Sequence, residues 1–228
     1  MKKGTKLLLT ACGLGAAGYA AYCSRKPKEA NSIWNLYAPV YNLFMGMDRS
    51  MYEEMYRRIR AAIAGKRTLE LCTGTGLIAM HVADAASEMI ATDFAEKMLD
   101  EARKGECPVN LTFRQADATA LPFEDASFDS VIISNALHII PNPEKALSEI
   151  RRVLRPGGVL IAPNFVHREG DLQSSVWAKV LTAAGIVFAV RWDAESYPAF
   201  LERNGWRIRE KAVLEASIPL VYAECEAT

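Results

Sequence analysis

The chain has 228 residues, of which 50% are hydrophobic and 24% charged, so it can bury the core of one globular domain. Its 27 basic residues balance 27 acidic residues, and this balance excludes a global electrostatic field for a nucleic-acid partner. The five cysteines are scattered without a CxxC pair, and no His, Cys or Asp residues have metal-ligand spacing. We therefore expect a reducing compartment and no metal site.

The N-terminal segment 7–23 differs from the rest of the chain because it contains no charged residue and has basic residues on both sides. As a helix it would be about 25 Å long, the lower limit for crossing a bilayer. Residues 1–31 therefore predict a membrane anchor and its linker, and residues 32–228 a globular domain. A cleaved signal peptide is the main alternative, because a basic start and small residues near 17–21 fit that pattern too. A buried helix is the other.

Residues 32–64 predict helical pieces, because aromatic side chains recur there at steps of three or four. After residue 65, short apolar runs alternate with amphipathic stretches, as in a parallel sheet covered by helices on both faces. The sequence therefore predicts an α/β fold: a Rossmann-like, doubly wound, mostly parallel seven-stranded sheet with an antiparallel C-terminal hairpin, preceded by N-terminal helices. The strands are expected at 68–72, 89–92, 110–114, 130–134, 158–162, 206–214 and 217–224, and further helices near 76–86, 95–104 and 143–154.

The segment LELCTGTG, residues 69–76, carries the first chemical signal, because a glycine turn follows an apolar strand. Gly74 and Gly76 let the backbone approach a ligand, and the following helix would present free N–H groups to an anion. The letters GTGLIA also satisfy the G-x-G-x-x-A fingerprint of dinucleotide binding. Asp93 follows Gly74 by 19 residues, where an acid would hold a ribose in either class of fold. The turn alone leaves the cofactor undecided.

Four further segments follow in order along the chain: ATDFAEKML, QADATALPF, FDSVIISNALHII and RRVLRPGGVL. Together with the glycine turn they resemble the motifs of class I S-adenosylmethionine methyltransferases, particularly the branch that includes ubiquinone/menaquinone and phospholipid methyltransferases. The resemblance runs from about residue 37 to residue 165. It implies S-adenosylmethionine as the cofactor, and as cofactor-binding residues Tyr37, Glu70, Cys72, Gly74, Gly76, Asp93, Phe94, Met98, Asp117, Ala118 and Asn135.

The resemblance also implies individual roles. Glu70 would lie near the methionine amino group, and Asp93 would bind both ribose hydroxyls. Each acid also has a plainer interpretation, because both could cap the following helix or pair with a surface base, and Asp117 could simply form a turn. For the remaining contacts, the resemblance places Asp117 at the adenine amino group, the backbone of Ala118 and the ring of Phe94 beside the adenine, and Tyr37 in a helix that closes over the cofactor.

Two positions need separate comment. The family usually has glycine where this chain has Cys72, so a side chain there would crowd the methionine end of the cofactor and require a modest adjustment. His138, just after the fourth strand, is the candidate catalytic base for a hydroxyl or amine acceptor, and packing without chemistry is its alternative. The basic side chains that follow, Arg151, Arg152 and Arg155, are expected to solvate the end of their helix and its dipole.

The sequence therefore predicts methyl transfer from S-adenosylmethionine to a small, lipophilic acceptor: quinone-like, a phospholipid or another small molecule. Acceptor choice is expected in residues 32–56 and 163–200, where the apolar stretch 176–190 either lines a pocket or packs as a buried helix. Because the cofactor is made in the cytosol, we expect the catalytic domain on the cytoplasmic side of the membrane. An inactive cofactor-binding scaffold and an NAD(P)-dependent oxidoreductase are the alternatives. Glu70 and Asp117 disfavour the oxidoreductase.

Overall fold

A computed structural model describes residues 34–35, 38, 48–167 and 190–228. Within these ranges no helix is both long and apolar enough to cross a bilayer. The apolar segment 7–23, the side chain of Tyr37 and residues 176–189 of the later apolar stretch lie outside the described residues.

The described chain alternates helices and strands as the sequence predicts, and each expected strand is present with its ends moved by a few residues. The helices are α1 (Arg49–Ile63), α2 (Ala79–Val82), α3 (Glu96–Ala102), α4 (Pro143–Val153) and α5 (Ser196–Arg203). The strands are β1 (Arg67–Leu71), β2 (Glu88–Asp93), β3 (Leu111–Gln115), β4 (Phe128–Ile133), β5 (Leu154–Ile161), β6 (Asn164–Phe165), β7 (Trp206–Leu214) and β8 (Leu220–Ala227).

The strands form one mixed sheet in the order β3-β2-β1-β4-β5-β8, with β7 along the other edge of β8. Strands β1 to β5 are parallel, whereas β8 runs antiparallel to both β5 and β7. The two-residue β6 continues β5 in the same register, with Ile161 opposite Glu224 and Asn164 opposite Val221. Pro163 separates them because it has no N–H to donate. This sheet confirms the predicted fold, and β6 accounts for the eighth strand.

The strand order reverses at β1, which has β2 and β3 on one side and β4 and β5 on the other. At such a switch point the loops that follow two neighbouring strands diverge and leave a crevice at their carboxyl ends. The loops after β1 and β4 therefore border the place where an α/β sheet of this kind binds its ligand.

The helix predicted over 76–86 is much shorter in the structure. Residues 74–78 form successive turns, α2 has four residues, and Ala83–Ala85 form a 3₁₀ helix. The N–H of Gly76 donates to the carbonyl of Thr73 at 3.0 Å, which closes the first turn. The prediction of a long helix was wrong because apolar spacing reports which face is buried, and successive turns can bury the same face.

Strand β7 changes faces midway along its length. Trp206 and Ile208 pack into the hydrophobic cluster beside α4 and α5, whereas Ala212 and Leu214 pack into the cluster beside α1 and α2. A bulge between Ile208 and Glu210 adds one residue to the strand, so the alternation shifts by one position. This bulge lets one edge strand contribute to the packing on both faces of the sheet.

The arginines at and just after the end of α4 are anchored to other parts of the fold. This corrects the expectation that they mainly solvate the end of their helix. Arg151 donates to the carbonyls of Asn204 and Gly205 at 2.8 and 2.7 Å, and its guanidinium stacks over the ring of Trp206 at 5.3 Å. Arg155 pairs with Asp129. These partners are distant in sequence, so helix position alone did not reveal them.

Candidate cofactor and acceptor site

A cleft of about 340 Å³ opens to solvent at the carboxyl ends of β1 and β4. Its location is the switch point described above, where an α/β sheet of this kind binds its ligand. Polar and apolar side chains from α1 and from the loops after β1 and β4 line the cleft: Tyr52, Glu70, Cys72, Thr73, Leu77, Ile78, Ser134 and Asn135.

Glu70 lies near the end of β1, and only 1% of its surface is exposed. Its Oε2 accepts a hydrogen bond of 2.8 Å from the hydroxyl of Thr73. Burial raises the pKa of Glu70 to about 8, and the charge of Asp93 adds to this effect. Among the described residues no basic side chain pairs with Glu70, so its carboxyl group can receive a cationic group from a ligand.

Asp93 ends β2 and connects the glycine turn to the start of α3. Its Oδ2 accepts the N–H of Gly74 and its Oδ1 accepts the N–H of Ala95, both at 2.8 Å. Burial raises the pKa of Asp93, and the backbone bonds oppose this effect. The plainer interpretation therefore holds in part, since Asp93 supports the start of α3. Each carboxylate oxygen can still accept a second hydrogen bond, and two ribose hydroxyls would supply them.

Two of the N–H groups expected to be free for an anion at the glycine turn are used by the protein itself. The N–H of Gly74 donates to Asp93, and the N–H of Gly76 donates to a carbonyl of the same turn. One carboxyl group of the protein therefore receives an N–H group that a phosphate would otherwise bind. This correction disfavours a dinucleotide, because its pyrophosphate needs such donors.

Cys72 and the two glycines of the turn all have backbone angles in the left-handed region, with φ of +55° at Cys72, +59° at Gly74 and +74° at Gly76. A β-carbon at Gly76 would lie 2.9 Å from Phe113 and 3.1 Å from Ala102, so this glycine allows close packing of the turn on α3 and β3. At Cys72 the left-handed angle costs about 1–2 kcal/mol for any residue with a β-carbon. This cost explains why glycine is usual there.

The residues expected at the adenine lie at the ends of β2 and β3. Phe94 has 48% of its surface exposed, and the side-chain amide of Gln115 holds its carbonyl at 2.8 Å. Asp117 is exposed, and its Oδ1 accepts the N–H and the hydroxyl of Thr119, both at 2.8 Å. Asp117 therefore forms the turn that the alternative interpretation predicts, and Ala118 packs into the core beside it.

Met98 is expected to contact the cofactor; its side chain is buried in α3, and the contact stays a prediction. Only 2% of its surface is exposed, and it packs with Ala38 and Ala95, while Trp34 covers the same cluster. The described part of the N-terminal helix therefore docks beside α3. Tyr37 lies outside the described residues, so its expected position over the cofactor stays a prediction.

The residues after β4 form the opposite wall of the cleft. Asn135 has a left-handed φ of +50°, and its Oδ1 accepts the N–H of Phe165 at 2.8 Å. The hydroxyl of Ser134 is buried and has no hydrogen-bond partner among the described residues. An unsatisfied buried hydroxyl is costly, so its place in the wall of the cleft is explained if a ligand completes its bonding.

His138 lies behind this wall, with 6% of its surface exposed. Its Nδ1 is 2.8 Å from the side-chain oxygen of Asn164, which can only accept, so Nδ1 carries the proton. Burial lowers the pKa of His138 to about 4. His138 is not among the residues that line the cleft, and the imidazole is neutral at physiological pH.

Sequence reasoning missed five of the side chains that line the cleft. Thr73 lies inside the recognised segment 69–76, Leu77 and Ile78 directly follow it, and Ser134 directly precedes the expected Asn135. These four could have been found by extending each motif by a few residues. Tyr52 comes from α1, whose register over the cleft depends on tertiary packing.

The fold and these side chains define an α/β protein with a ligand cleft at the switch point of its sheet. Residues 69–162 match the family model of a methyltransferase domain. The chain is 31% identical over 187 residues to the ubiquinone/menaquinone biosynthesis C-methyltransferase UbiE of Rhizobium etli, which covers 75% of this chain and 72% of that protein. The chain belongs to the class I S-adenosylmethionine-dependent methyltransferases.

Other relatives and solved structures agree. The demethylmenaquinone methyltransferase of Renibacterium salmoninarum is 36% identical over 152 residues, covering 64% of this chain and 63% of that protein. The chain spans 60–66% of the length of three such relatives. An S-adenosylmethionine-dependent methyltransferase from Thermotoga maritima has a TM-score of 0.69 at 19% identity over 86% of this chain and 99% of that one. The DhpI–SAH complex has a TM-score of 0.66 at 23% identity, over 88% of this chain and 96% of that one. Both structures show the same fold.

The residues of the cleft fit S-adenosylmethionine. Glu70 provides a buried carboxyl group for an ammonium group. Asp93, at the end of the neighbouring strand β2, provides two acceptor oxygens. The hydroxyl of Ser134 lacks a partner among the described residues, as a hydroxyl that bonds a ligand would.

Proposed function

We propose that this protein transfers the methyl group of S-adenosylmethionine to a small lipophilic acceptor, with a quinone-like ring as the first candidate and a phospholipid as the second. The names of the relatives from Renibacterium salmoninarum and Rhizobium etli support a quinone. The observation that carries the proposal is Glu70, because its buried carboxyl group has no basic partner among the described residues and can therefore receive the ammonium group of the cofactor.

In the proposed binding mode three elements divide the cofactor among them. Glu70 after β1 receives the methionine ammonium group, and Asp93 at the end of β2 accepts the two ribose hydroxyls. The adenine lies against the exposed ring of Phe94, and its amino group donates to Asp117. Ser134 completes the opposite wall. Except for Ser134, each of these groups is positioned by backbone or side-chain bonds described above, so little reorganisation is needed for binding.

S-adenosylmethionine supplies a methyl group on a sulfonium, which a nucleophile displaces in line. The protein therefore has to orient the acceptor and exclude water. Leu77 and Ile78 give the wall of the cleft an apolar surface beside Glu70. Such a surface is compatible with an uncharged ring and offers no partner for a charged acceptor.

An acceptor with a hydroxyl group must also lose a proton, and His138 is our candidate to take it. Asn164 fixes the tautomer in which Nδ1 carries the proton, so Nε2 is the atom that accepts. With a pKa of about 4 the imidazole is neutral and in the correct state, but it is a weak base. Its contribution would therefore come during methyl transfer, when the hydroxyl becomes more acidic.

The proposal is tested by measuring release of S-adenosylhomocysteine with a demethylated naphthoquinol in detergent, with phosphatidylethanolamine vesicles, and without acceptor. We expect turnover with the quinol. Asp93→Ala should weaken S-adenosylhomocysteine binding by about tenfold or more while the fold is kept, because two hydrogen bonds to a carboxylate are lost. Tight binding without turnover on any acceptor would instead favour the inactive scaffold, and binding of NAD(P) in its place would favour the oxidoreductase.

We also propose that segment 7–23 anchors the protein at a bilayer, with residues 32–228 as the catalytic domain on the cytoplasmic side. The uncharged segment and its basic flanks support this, because they favour insertion and anionic headgroups. A variant truncated to begin at residue 32 should leave the membrane fraction and keep its cofactor affinity. Equal recovery of both forms in the soluble fraction would contradict the anchor, and a shorter secreted form would favour the signal peptide.

A further inference from the structure

The loop over residues 116–127, which connects β3 to β4, carries the proposed adenine contacts Asp117 and Ala118. Its first residue, Ala116, is held at the end of β2, because its N–H donates to the carbonyl of Asp93 at 3.1 Å. The rest of the loop crosses the end of α4. Two side chains of that helix, Glu149 and Arg152, hold it there.

Glu149 and Arg152 hold the backbone of Leu121 from both sides. Oε2 of Glu149 accepts the N–H of Leu121 at 2.7 Å, and Nη2 of Arg152 donates to the carbonyl of the same residue at 3.0 Å. Nη1 of Arg152 donates to the carbonyl of Phe123 at 2.7 Å and to the carboxylate of Asp125 at 2.8 Å. The two α4 side chains also bond to each other at 2.9 and 2.8 Å.

These bonds are of the strong, charge-assisted kind. The guanidinium of Arg152 lowers the pKa of Glu149, and Glu149 raises the pKa of Arg152. Leu121 is buried with 6% of its surface exposed, so loss of either side chain would leave part of its backbone without a partner in the core. A simple helix-surface ion pair would not bond to four groups, on three residues, of a separate loop.

A short turn connects Leu121 to Asp117, so the position of one depends on the position of the other. The N–H of Ala120 donates to the carbonyl of Asp117 at 3.0 Å, and these two residues form an antiparallel bridge. Ala118, between them, is buried with 7% of its surface exposed. The segment from Asp117 to Leu121 is therefore a compact unit, and a shift at one end displaces the other.

We propose that Glu149 and Arg152 are positioning residues that set the selectivity of the site for adenine over a base without the exocyclic amino group. The inference rests on the proposed function, in which Asp117 accepts a hydrogen bond from that amino group. Glu70 and Asp93 are held by other bonds, at the ends of β1 and β2, so a displaced loop affects the adenine contact first. The effect is therefore on base selectivity more than on general affinity.

The test compares the affinities of S-adenosylhomocysteine and S-inosylhomocysteine, in which a carbonyl oxygen replaces the adenine amino group, by calorimetry on the full chain. The unmodified protein should prefer the adenine ligand by about tenfold or more, since one charge-assisted hydrogen bond is at stake. Arg152→Met and Glu149→Gln should each reduce this preference by about threefold or more, because a displacement of about 1 Å weakens a hydrogen bond strongly.

Arg57→Met is the matched control. Glu54 and Arg57 also form a pair three residues apart on a helix, with bonds of 2.8 and 2.7 Å, but in α1, and Arg57 has no bond to the loop. This variant should keep the full preference for adenine. Circular dichroism identifies folded variants, and if Arg152→Met does not fold, Glu149→Gln takes its place, because Gln keeps the size of the side chain and one oxygen that can accept a hydrogen bond.

Asp117→Ala separates failure of the inference from failure of the proposed binding mode. If it abolishes the preference whereas Arg152→Met and Glu149→Gln retain it, the positioning role is overturned and the binding mode stands. If the two α4 variants weaken both ligands equally, they act only on stability, and the inference is also overturned. If Asp117→Ala retains the preference, the adenine placement itself is wrong and the inference fails with it.

Discussion

The cofactor affinity of this protein should depend on pH through Glu70. Glu70→Gln should remove that dependence at pH values below the pKa of Glu70. Burial raises the pKa of Glu70 to about 8, so at neutral pH most of the cofactor-free protein carries a neutral carboxyl group there. An ammonium group pairs with the ionised form. Binding must therefore remove a proton from Glu70, and affinity falls as the pH drops below the pKa.

The size of the effect follows from the two ionisations. An α-amino group has an ordinary pKa of about 8, so the fraction with ionised Glu70 and protonated ligand is largest at about pH 8. With both pKa values near 8, that fraction falls about threefold at pH 7 and about 25-fold at pH 6. The amide introduced by Glu70→Gln cannot ionise, so the weaker affinity of that variant should change little between about pH 6 and pH 7.

The same carboxyl group gives a second readout in the cofactor-free protein. Its folded pKa of about 8 lies above its ordinary value of 4.5, so its contribution to stability is complete below about pH 4.5 and is lost as the pH rises through about 8. The full difference between these pKa values corresponds to at most about 5 kcal/mol. The unmodified protein should therefore lose stability relative to Glu70→Gln as the pH is raised from about 5 to 8.

Calorimetric titration with S-adenosylhomocysteine in two buffers of different ionisation enthalpy measures both the affinity and the proton released. Denaturant unfolding at the same pH values measures stability. An affinity of the unmodified protein that does not change between about pH 6 and pH 8 would refute the pairing with Glu70. An equal pH slope in Glu70→Gln would show that another group titrates.

Three further outcomes are expected. Cys72→Gly should raise the free energy of unfolding by about 0.5–1 kcal/mol by relieving the left-handed φ of +55°, whereas Cys72→Ala should give no such gain. Gly76→Ala should destabilise by about 2–3 kcal/mol because its β-carbon meets Phe113 at 2.9 Å; at Gly157, which has φ of +77° and open space, the cost should be nearer 1 kcal/mol. His138→Gln should lower kcat about 100-fold with unchanged S-adenosylhomocysteine affinity, and an unchanged kcat would leave His138 only a packing role.

The acids of the site could be predicted from the sequence because each one interrupts or ends an apolar strand. Glu70 lies between Leu69 and Leu71, which face the opposite hydrophobic cluster, and Asp93 ends the buried β2. A charge at such a place is costly unless something pairs with it. The resemblance to the methyltransferase motifs gave both residues their expected roles, and this cost favoured those roles over the plainer ones. Parallel pairing of β1 with β2 brings both residues to the same end of the sheet.

The parts that sequence reasoning did not reach depend on contacts between distant residues. Leu121 is 28 and 31 positions from the two α4 side chains that hold it, and no local spacing signals this contact. The bulge in β7 changes the face of later residues without changing the period of the pattern around it. The shortened α2 has a local cause, because successive turns over 74–78, the first closed by the bond from the N–H of Gly76 to the carbonyl of Thr73, precede the helix.

The site is supported in two different ways, and this difference has a consequence for selectivity. Asp93 is held through backbone N–H groups of Gly74 and Ala95, which a side-chain substitution elsewhere leaves in place. The loop over residues 116–127, which carries the proposed adenine contacts, is held mainly by the side chains of Glu149 and Arg152. A single substitution removes either side chain. Ribose binding should therefore resist change while base recognition is adjustable from α4. Affinity and base selectivity can then vary independently in this fold, because they depend on separate sets of bonds.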